Sequence, residues 1–205
     1  MARPRRQDDT ELLAAAMQLF WRNGYSTTGI RELEQGLGLK APALYHRFGS
    51  KEQLFLAALQ QYVEQVIGTR IKRYLQQQEQ PLIGLRAFFD TTYDYVSATQ
   101  PPLGCLVLNT SLEALSADPA VASELAQAAR RVRTAIRTTL RRAQALGQLD
   151  QRANVRALTD TLYLGLQGLL VTSKVIRDPA LLRRQVDSLF ALLPVTAATT
   201  EGARP

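Results

Sequence analysis

Two short helical patterns separated by a glycine constrain this chain more than any other feature. They lie within residues 25–54, which read YSTTGIRELEQGLGLKAPALYHRFGSKEQL. The first pattern has three apolar residues at the spacing of a helix's buried stripe: Ile30, Leu33 and Leu37. Gly38 then interrupts it where a tight turn needs a positive φ. The second pattern has Leu44 and Phe48, four residues apart, on its inner face.

The outward positions of the second helix share small, aromatic or basic side chains and include no carboxylate. They are Lys40, Pro42, Ala43, Tyr45, His46 and Arg47. Two short helices around a glycine turn, the second with such a face, predict a helix-turn-helix that enters the major groove of DNA. The alternative is a plain helical hairpin in the core of a bundle.

Several further elements lie in register with these helices. They are LF at 19–20, GY at 24–25, TxIREL at 28–33, GLGL at 36–39 and ALYHRFGSKExL at 43–54. With them, roughly the first quarter of the chain resembles the TetR-type one-component transcriptional regulators. The resemblance implies an all-α fold, with a three-helix DNA-binding domain at residues 1–48 and a six-helix effector-sensing and dimerisation domain at residues 49–205.

The resemblance also implies which residues contact DNA. Thr28 is predicted to be the N-cap of the first of the two helices and, as in the family, to meet a phosphate. Lys51 is expected to contact phosphate in the same way. Ala43 and Pro42 are candidates for contacts with thymine methyl groups, and Tyr45 and His46 for contacts with the backbone or with base edges.

The start of the recognition helix departs from the family pattern, which usually has Ser or Thr there. This chain has Lys40, Ala41 and Pro42 instead. Proline suits the first turn of a helix, but neither Lys40 nor Ala41 has a side chain that accepts a capping hydrogen bond. The sequence therefore predicts a looser helix start at which Lys40 supplies charge.

Basic residues outnumber acidic ones, 25 to 18, and the net charge of +7 favours an anionic partner. The excess is not concentrated in the first domain, because residues 1–51 contain eight Lys/Arg and five Asp/Glu. Ahead of the first helix, Arg3, Arg5 and Arg6 form a short basic arm. This arm is either a solvated tail or a segment that follows phosphates or enters the minor groove.

Composition argues against several other classes of protein. The N-terminus has no apolar signal region, and no apolar run is long enough to span a membrane. One cysteine excludes an internal disulfide and fits a reducing cytoplasm. A single cysteine and a single histidine do not provide a Cys/His zinc site, and no paired-carboxylate motif indicates an enzyme. We therefore predict neither a metal nor a cofactor.

Two hypotheses describe the signal that the second domain detects. The first is a cavity for an apolar or aromatic effector, whose candidate residues also fit an ordinary core: Phe88, Phe89, Tyr93, Leu108, Tyr163 and Gln167. The second is covalent sensing at Cys105, where the positive end of a helix dipole favours the reactive thiolate. The segment GCLVLNT at 104–110 resembles a subgroup that includes sensors of electrophiles and oxidants, and Lys174 is a candidate partner of the thiolate.

The penultimate helix contains a narrow stripe of small residues: Thr161, Gly165, Gly168 and Thr172. By resemblance, the last two helices pair with their copies in a homodimer, so this stripe and Leu189 are candidate interface residues. The alternative is that the two glycines make room for a neighbour within the chain or for a ligand. A separate face, on the preceding long helix, carries Arg130, Arg133, Arg137 and Arg141, which are either solvated or bind an anion or an acidic partner.

Together these features predict a transcriptional regulator, most often a repressor in the resembling family, that a ligand or an oxidant releases from a palindromic operator. A sensor of apolar ligands that does not use the thiol is the alternative within this class. A non-specific, nucleoid-type DNA-binding protein is the alternative outside it.

Overall fold

The computed structural model describes residues 8–93 and 103–196, and the regular elements within these ranges are all helices. The all-α prediction is therefore confirmed. In chain order the helices are α1 Asp9–Asn23, α2 Ile30–Leu37, α3 Ala41–Phe48, α4 Lys51–Tyr62, α5 Pro81–Asp90, α6 Leu106–Ser111, α7 Pro119–Ala145, α8 Val155–Val175 and α9 Pro179–Phe190. Turns of π-helix continue α4 over Val63–Gly68 and Ile71–Gln76, and a 3-10 turn, Ala114–Ala117, follows α6.

Packing divides the chain into two compact units. The first unit contains Met1–Val66 and Cys105–Ala128, and the second contains Ile67–Gly104 and Ala129–Pro205. The predicted boundary lies after residue 48, whereas here α4 and the segment around α6 pack with α1, α2 and α3, which together form the head of the protein. A boundary read along the sequence does not reveal such a grouping, since residues 105–128 are distant from the head in the chain.

An aromatic cluster fixes α1 against α4 in the first unit. The rings of Phe20 and Phe55 are both fully buried and meet edge to face with centroids 5.0 Å apart. Tyr25 contacts the same Phe55 ring at 5.1 Å, and Trp21 meets Tyr62 at 4.9 Å. Such edge-to-face pairs add to the free energy gained from burying apolar area.

The helix-turn-helix packs on α1 and α4, and three of its predicted apolar positions are buried. Leu33, Leu37 and Leu44 are each at most 2% exposed. Gly38 has φ = +65°, which confirms the predicted left-handed turn between α2 and α3. A Cβ atom at Gly36 would lie 2.4 Å from Leu19 Cδ1, so glycine here permits α1 and α2 to approach closely.

The second unit contains α5, α8, α9 and the later part of α7. Phe89 is fully buried and meets Phe190 edge to face at 5.2 Å. Arg86 ties α5 to α9, because its guanidinium lies 2.9 Å from Asp90 and 2.5 Å from Asp187.

Helix α5 ends at Asp90, where the hydroxyls of Thr91 and Thr92 donate to the carbonyls of Phe88 and Phe89. Near the end of the described residues, Val195 forms an antiparallel bridge with Leu149. Among the helices of the described residues, none has the length and apolar character needed to cross a bilayer.

Candidate nucleic-acid interface

The outward face of α3 lies open along the eight-residue helix. Pro42, Ala43, Tyr45 and His46 are all exposed, and Tyr45 has 42% of its surface accessible. Lys40, the residue before the helix, is exposed as well. The structure therefore brings five of the predicted DNA-contacting residues together on one surface, while Leu44 buries the opposite side of the helix.

Arg47 is the exception to the predicted outward face. Its guanidinium lies 2.7 Å from the Asp9 carboxylate at the start of α1, and the side chain is half-buried. The prediction that Arg47 shares the open face is therefore wrong. Its ion pair instead ties the end of α3 to α1.

The start of α3 lacks a side-chain cap from Lys40, in agreement with the sequence. The helix begins at Ala41, and the amide of Ala41 donates to Glu34 Oε1 of α2 at 2.8 Å. Sequence reasoning missed this contact, because a carboxylate seven residues upstream is outside the spacing of a local capping motif.

The start of α2 is arranged differently from the prediction. Gly29, and not Thr28, is the N-cap, and its amide donates to Glu32 at 2.7 Å. Thr28 is fully buried, and its hydroxyl donates to the carbonyl of Gly24 at 2.6 Å. The N-cap prediction for Thr28 is wrong because this hydroxyl closes the end of α1 instead.

Lys51 lies beside Tyr25 at the start of α4. Its Nζ atom is 4.2 Å from the centroid of the Tyr25 ring, and the Tyr25 hydroxyl donates to Glu52 at 2.6 Å. Burial, reinforced by the hydrogen bond to Glu52, raises the pKa of Tyr25 well above its ordinary value, and the same hydrogen bond lowers the pKa of Glu52. Ser50 caps α4 by accepting from the amide of Gln53 at 3.2 Å.

A carboxylate from a distant segment holds the turn between α1 and α2. Glu113, which follows α6, accepts from the amides of Tyr25 and Ser26 at 3.3 and 3.0 Å, and from the Ser26 hydroxyl at 3.1 Å. All three residues belong to the first unit. No local sequence signal pairs residues 88 positions apart, so sequence reasoning missed Glu113.

The candidate sensor residues fall into both units. Cys105 is half-buried and is the N-cap residue of α6, which is only six residues long. Lys174 lies near the end of α8 in the second unit, and its pairing with Cys105 stays a prediction.

The candidate effector residues of the second unit are largely core. Phe89 and Tyr93 are buried at 0% and 4% exposure, and the Tyr93 hydroxyl donates to Asp90. Tyr163 and Gln167 are half-buried, and the Arg133 guanidinium lies over the Tyr163 ring. These positions agree with the core interpretation, and an effector cavity stays a prediction.

The stripe of small residues on α8 is divided between two surroundings. A Cβ atom at Gly165 would lie 2.4 Å from Leu189 Cδ2, so this glycine makes room for α9 of the same chain. Gly168 is exposed with no atom near the position of a Cβ, and Thr161 is exposed too. The predicted minor-groove residues Arg3, Arg5 and Arg6 lie outside the described residues.

This geometry defines a helix-turn-helix DNA-binding protein. Two family descriptions match the chain: residues 12–58 match the bacterial regulatory proteins of the tetR family, and residues 81–189 match the tetracyclin repressor-like C-terminal domain. The chain belongs to the TetR family of transcriptional regulators.

The alignments with individual relatives cover most of this chain and most of each relative. The chain is 28% identical to the transcriptional repressor ComR of Escherichia coli K12 over 84% of its length and 82% of that protein. It is 27% identical to the uncharacterized regulator YezE of Bacillus subtilis over 94% of its length and all of that protein. Among solved structures, a cysteine mutant of the TetR-family regulator CifR, complexed with a 26-base-pair operator DNA, has a TM-score of 0.80 and 28% identity, with 94% of this chain and all of that chain covered.

Glu113→Ala is expected to destabilise the protein by about 1–2 kcal/mol, because backbone donors of the α1–α2 turn lose a charged acceptor. Thermal or urea unfolding of the purified protein measures this. Glu124→Ala removes a carboxylate from α7 in the same unit and is the matched control. Equal stability of the two variants would show that the Glu113 contacts contribute nothing measurable.

Proposed function

We propose that this protein is a sequence-specific transcriptional repressor that binds a near-palindromic operator as a homodimer in the cytoplasm. The open, carboxylate-free face of α3 is the observation that carries the proposal, because an eight-residue helix with this face fits the major groove. The name of ComR, a repressor, and the structure of a CifR mutant complexed with operator DNA support the same function.

The predicted DNA-contacting residues divide into two proposed roles. Lys40 and Lys51 neutralise phosphates, and the backbone around Thr28 lies close to a further phosphate. Ala41, Pro42 and Ala43 bring the helix backbone and its small apolar groups close to thymine methyls, and Tyr45 and His46 reach the backbone or base edges. The basic arm formed by Arg3, Arg5 and Arg6 adds contacts along the minor groove.

Tyr45→Ala is expected to reduce the ratio of operator to non-operator affinity by about tenfold per half-site, since it removes a side chain of the reading face. Lys40→Gln is expected to weaken binding to all sequences and to lower the slope of log affinity against log salt by roughly one per protomer. Fluorescence anisotropy with duplexes selected from a random pool, and with scrambled duplexes, measures both effects.

The exposed residue Gln60 on α4 supplies the control variant, Gln60→Ala, which is expected to bind like the wild type. If selection enriches no sequence, and affinity depends on salt alone, the protein is the non-specific binder and the proposed function is wrong.

The homodimer is supported by an exposed apolar face on α8. Leu164, Val171 and Val175 are 69%, 47% and 79% exposed, and together with Gly168 they follow one side of the helix at helical spacing. Contiguous exposed apolar groups of this kind mark surfaces that bind protein. A second copy that brings the same face to this one would bury these side chains by two-fold symmetry.

Leu164→Asp is expected to shift the protein toward a monomer and to weaken operator binding, because it places a charge in the proposed interface. Analytical ultracentrifugation over a range of concentrations gives the association constant. Ile83→Asp is the matched control, since Ile83 on α5 is 65% exposed as well. A wild-type protein that sediments as a monomer at micromolar concentration contradicts the proposed dimer.

For the signal, we propose the thiol of Cys105. This residue begins α6, and Glu113, eight residues later, holds the α1–α2 turn of the DNA-binding head. A chemical change at Cys105 that displaces this segment thus alters the support of the head directly. Lys174 is the proposed cationic partner of the thiolate.

N-ethylmaleimide, which alkylates the thiolate, is expected to release the wild-type protein from its operator and to leave Cys105→Ser bound. A gel shift with and without the reagent measures this, and mass spectrometry confirms a single adduct on Cys105. Release of both proteins, or of neither, contradicts thiol sensing and favours an apolar ligand bound among Phe89, Tyr93, Tyr163 and Gln167.

A further inference from the structure

At the start of the recognition helix, one backbone amide donates to a side chain of the preceding helix. The first four amides of a helix lack partners within it. Here the amide of the first helical residue, Ala41, donates to Glu34 Oε1 at 2.8 Å. The second position is Pro42, which has no N–H group.

The amide of the third helical residue, Ala43, donates to the carbonyl of Lys40 at 2.9 Å. The amide of Leu44 donates to the same carbonyl at 3.1 Å, which is the first regular hydrogen bond of the helix. Lys40 thus contributes its backbone at this helix start, and its side chain contributes no capping hydrogen bond. The carboxylate of Glu34 is the side-chain group that caps the helix.

We propose that Glu34 acts as the N-terminal cap of the recognition helix from the preceding helix, and that it is a positioning residue for operator recognition. It supplies a side-chain acceptor to a helix start that has no Ser or Thr at position 40. The inference rests on the proposed DNA-binding function and adds a residue on which its specificity depends.

The surroundings of Glu34 favour this role. Its side chain is half-buried on α2, and the left-handed turn at Gly38 directs α3 back so that Ala41 faces the carboxylate. A carboxylate at a helix start is stabilised by the positive end of the helix dipole, and a charged acceptor strengthens the hydrogen bond. The sequence predicts a looser helix start, but in the structure this hydrogen bond holds the start of α3 to α2.

The contact also determines what can bind phosphate at this helix start. Since the amides of Ala41, Ala43 and Leu44 already donate within the protein, a phosphate there binds the ammonium group of Lys40. The Glu34 carboxylate, by its charge alone, repels DNA. The charge of Glu34 therefore lowers DNA affinity, while its capping role raises operator affinity. Substitutions that remove the charge but keep an acceptor separate the two effects.

The test compares Glu34→Ala with Glu34→Gln in the full-length protein. Glu34→Ala removes the acceptor, and we expect operator affinity to fall about fivefold per half-site while affinity for scrambled DNA stays equal or rises. Glu34→Gln keeps a carbonyl oxygen as acceptor and is expected to retain most of the operator preference. If Glu34→Ala binds the operator as tightly as the wild type or more tightly, charge repulsion dominates and the inference is wrong.

Gln35→Ala, at the exposed neighbouring position on α2, is the matched control and is expected to bind the operator like the wild type.

A measurement without DNA keeps this inference separate from the proposed function. Amide hydrogen exchange of Ala41, followed by NMR, is expected to be about fivefold faster in Glu34→Ala than in the wild type, with less change in Glu34→Gln. Equal exchange in all three proteins contradicts the cap. If the cap is present but no sequence is preferred by the wild-type protein, the DNA-binding proposal alone is wrong.

Discussion

The edge-to-face packing of Phe20, Phe55 and Tyr25 is the interaction on which the DNA-binding head depends. Helices α2 and α3 have only eight residues each, and helices this short are not stable alone in water. They keep their shape because Leu33, Leu37 and Leu44 bury their side chains against the structure that this cluster fixes. The exposed reading face therefore depends on a core that never contacts DNA.

Carboxylates supply most of the polar support of the head. Asp9 holds Arg47, Glu32 and Glu34 cap the two short helices, and Glu113 holds the turn between α1 and α2. The first unit contains ten acidic and eight basic residues, yet the outward face of α3 has no acid. Three of these carboxylates accept hydrogen bonds from backbone amides, and Asp9 pairs with a guanidinium, so the net charge of a DNA-binding unit does not describe its DNA-facing surface.

The same arrangement suggests how a signal reaches the head. Because Glu113 follows the helix that begins at Cys105, a change in this short segment alters a hydrogen-bonded support of the α1–α2 turn. A coupling free energy of roughly 1–3 kcal/mol is enough to change the affinity of a regulator for its operator by about 5- to 150-fold. The few hydrogen bonds made by one carboxylate are of this magnitude.

The sequence by itself determined the helices, the glycine turn at Gly38 and the outward residues of α3, because helical periodicity, glycine conformation and the TetR-like motif are local properties. Only the tertiary structure decided how Thr28, Arg47 and Gly165 are used: Thr28 closes α1, Arg47 pairs with Asp9, and Gly165 makes room for Leu189. It also brought Glu34 to Ala41 and Glu113 to Ser26. The physical reason is that a hydrogen bond or a close contact depends on distance in space, and local sequence spacing reports distance only within a single helix or turn.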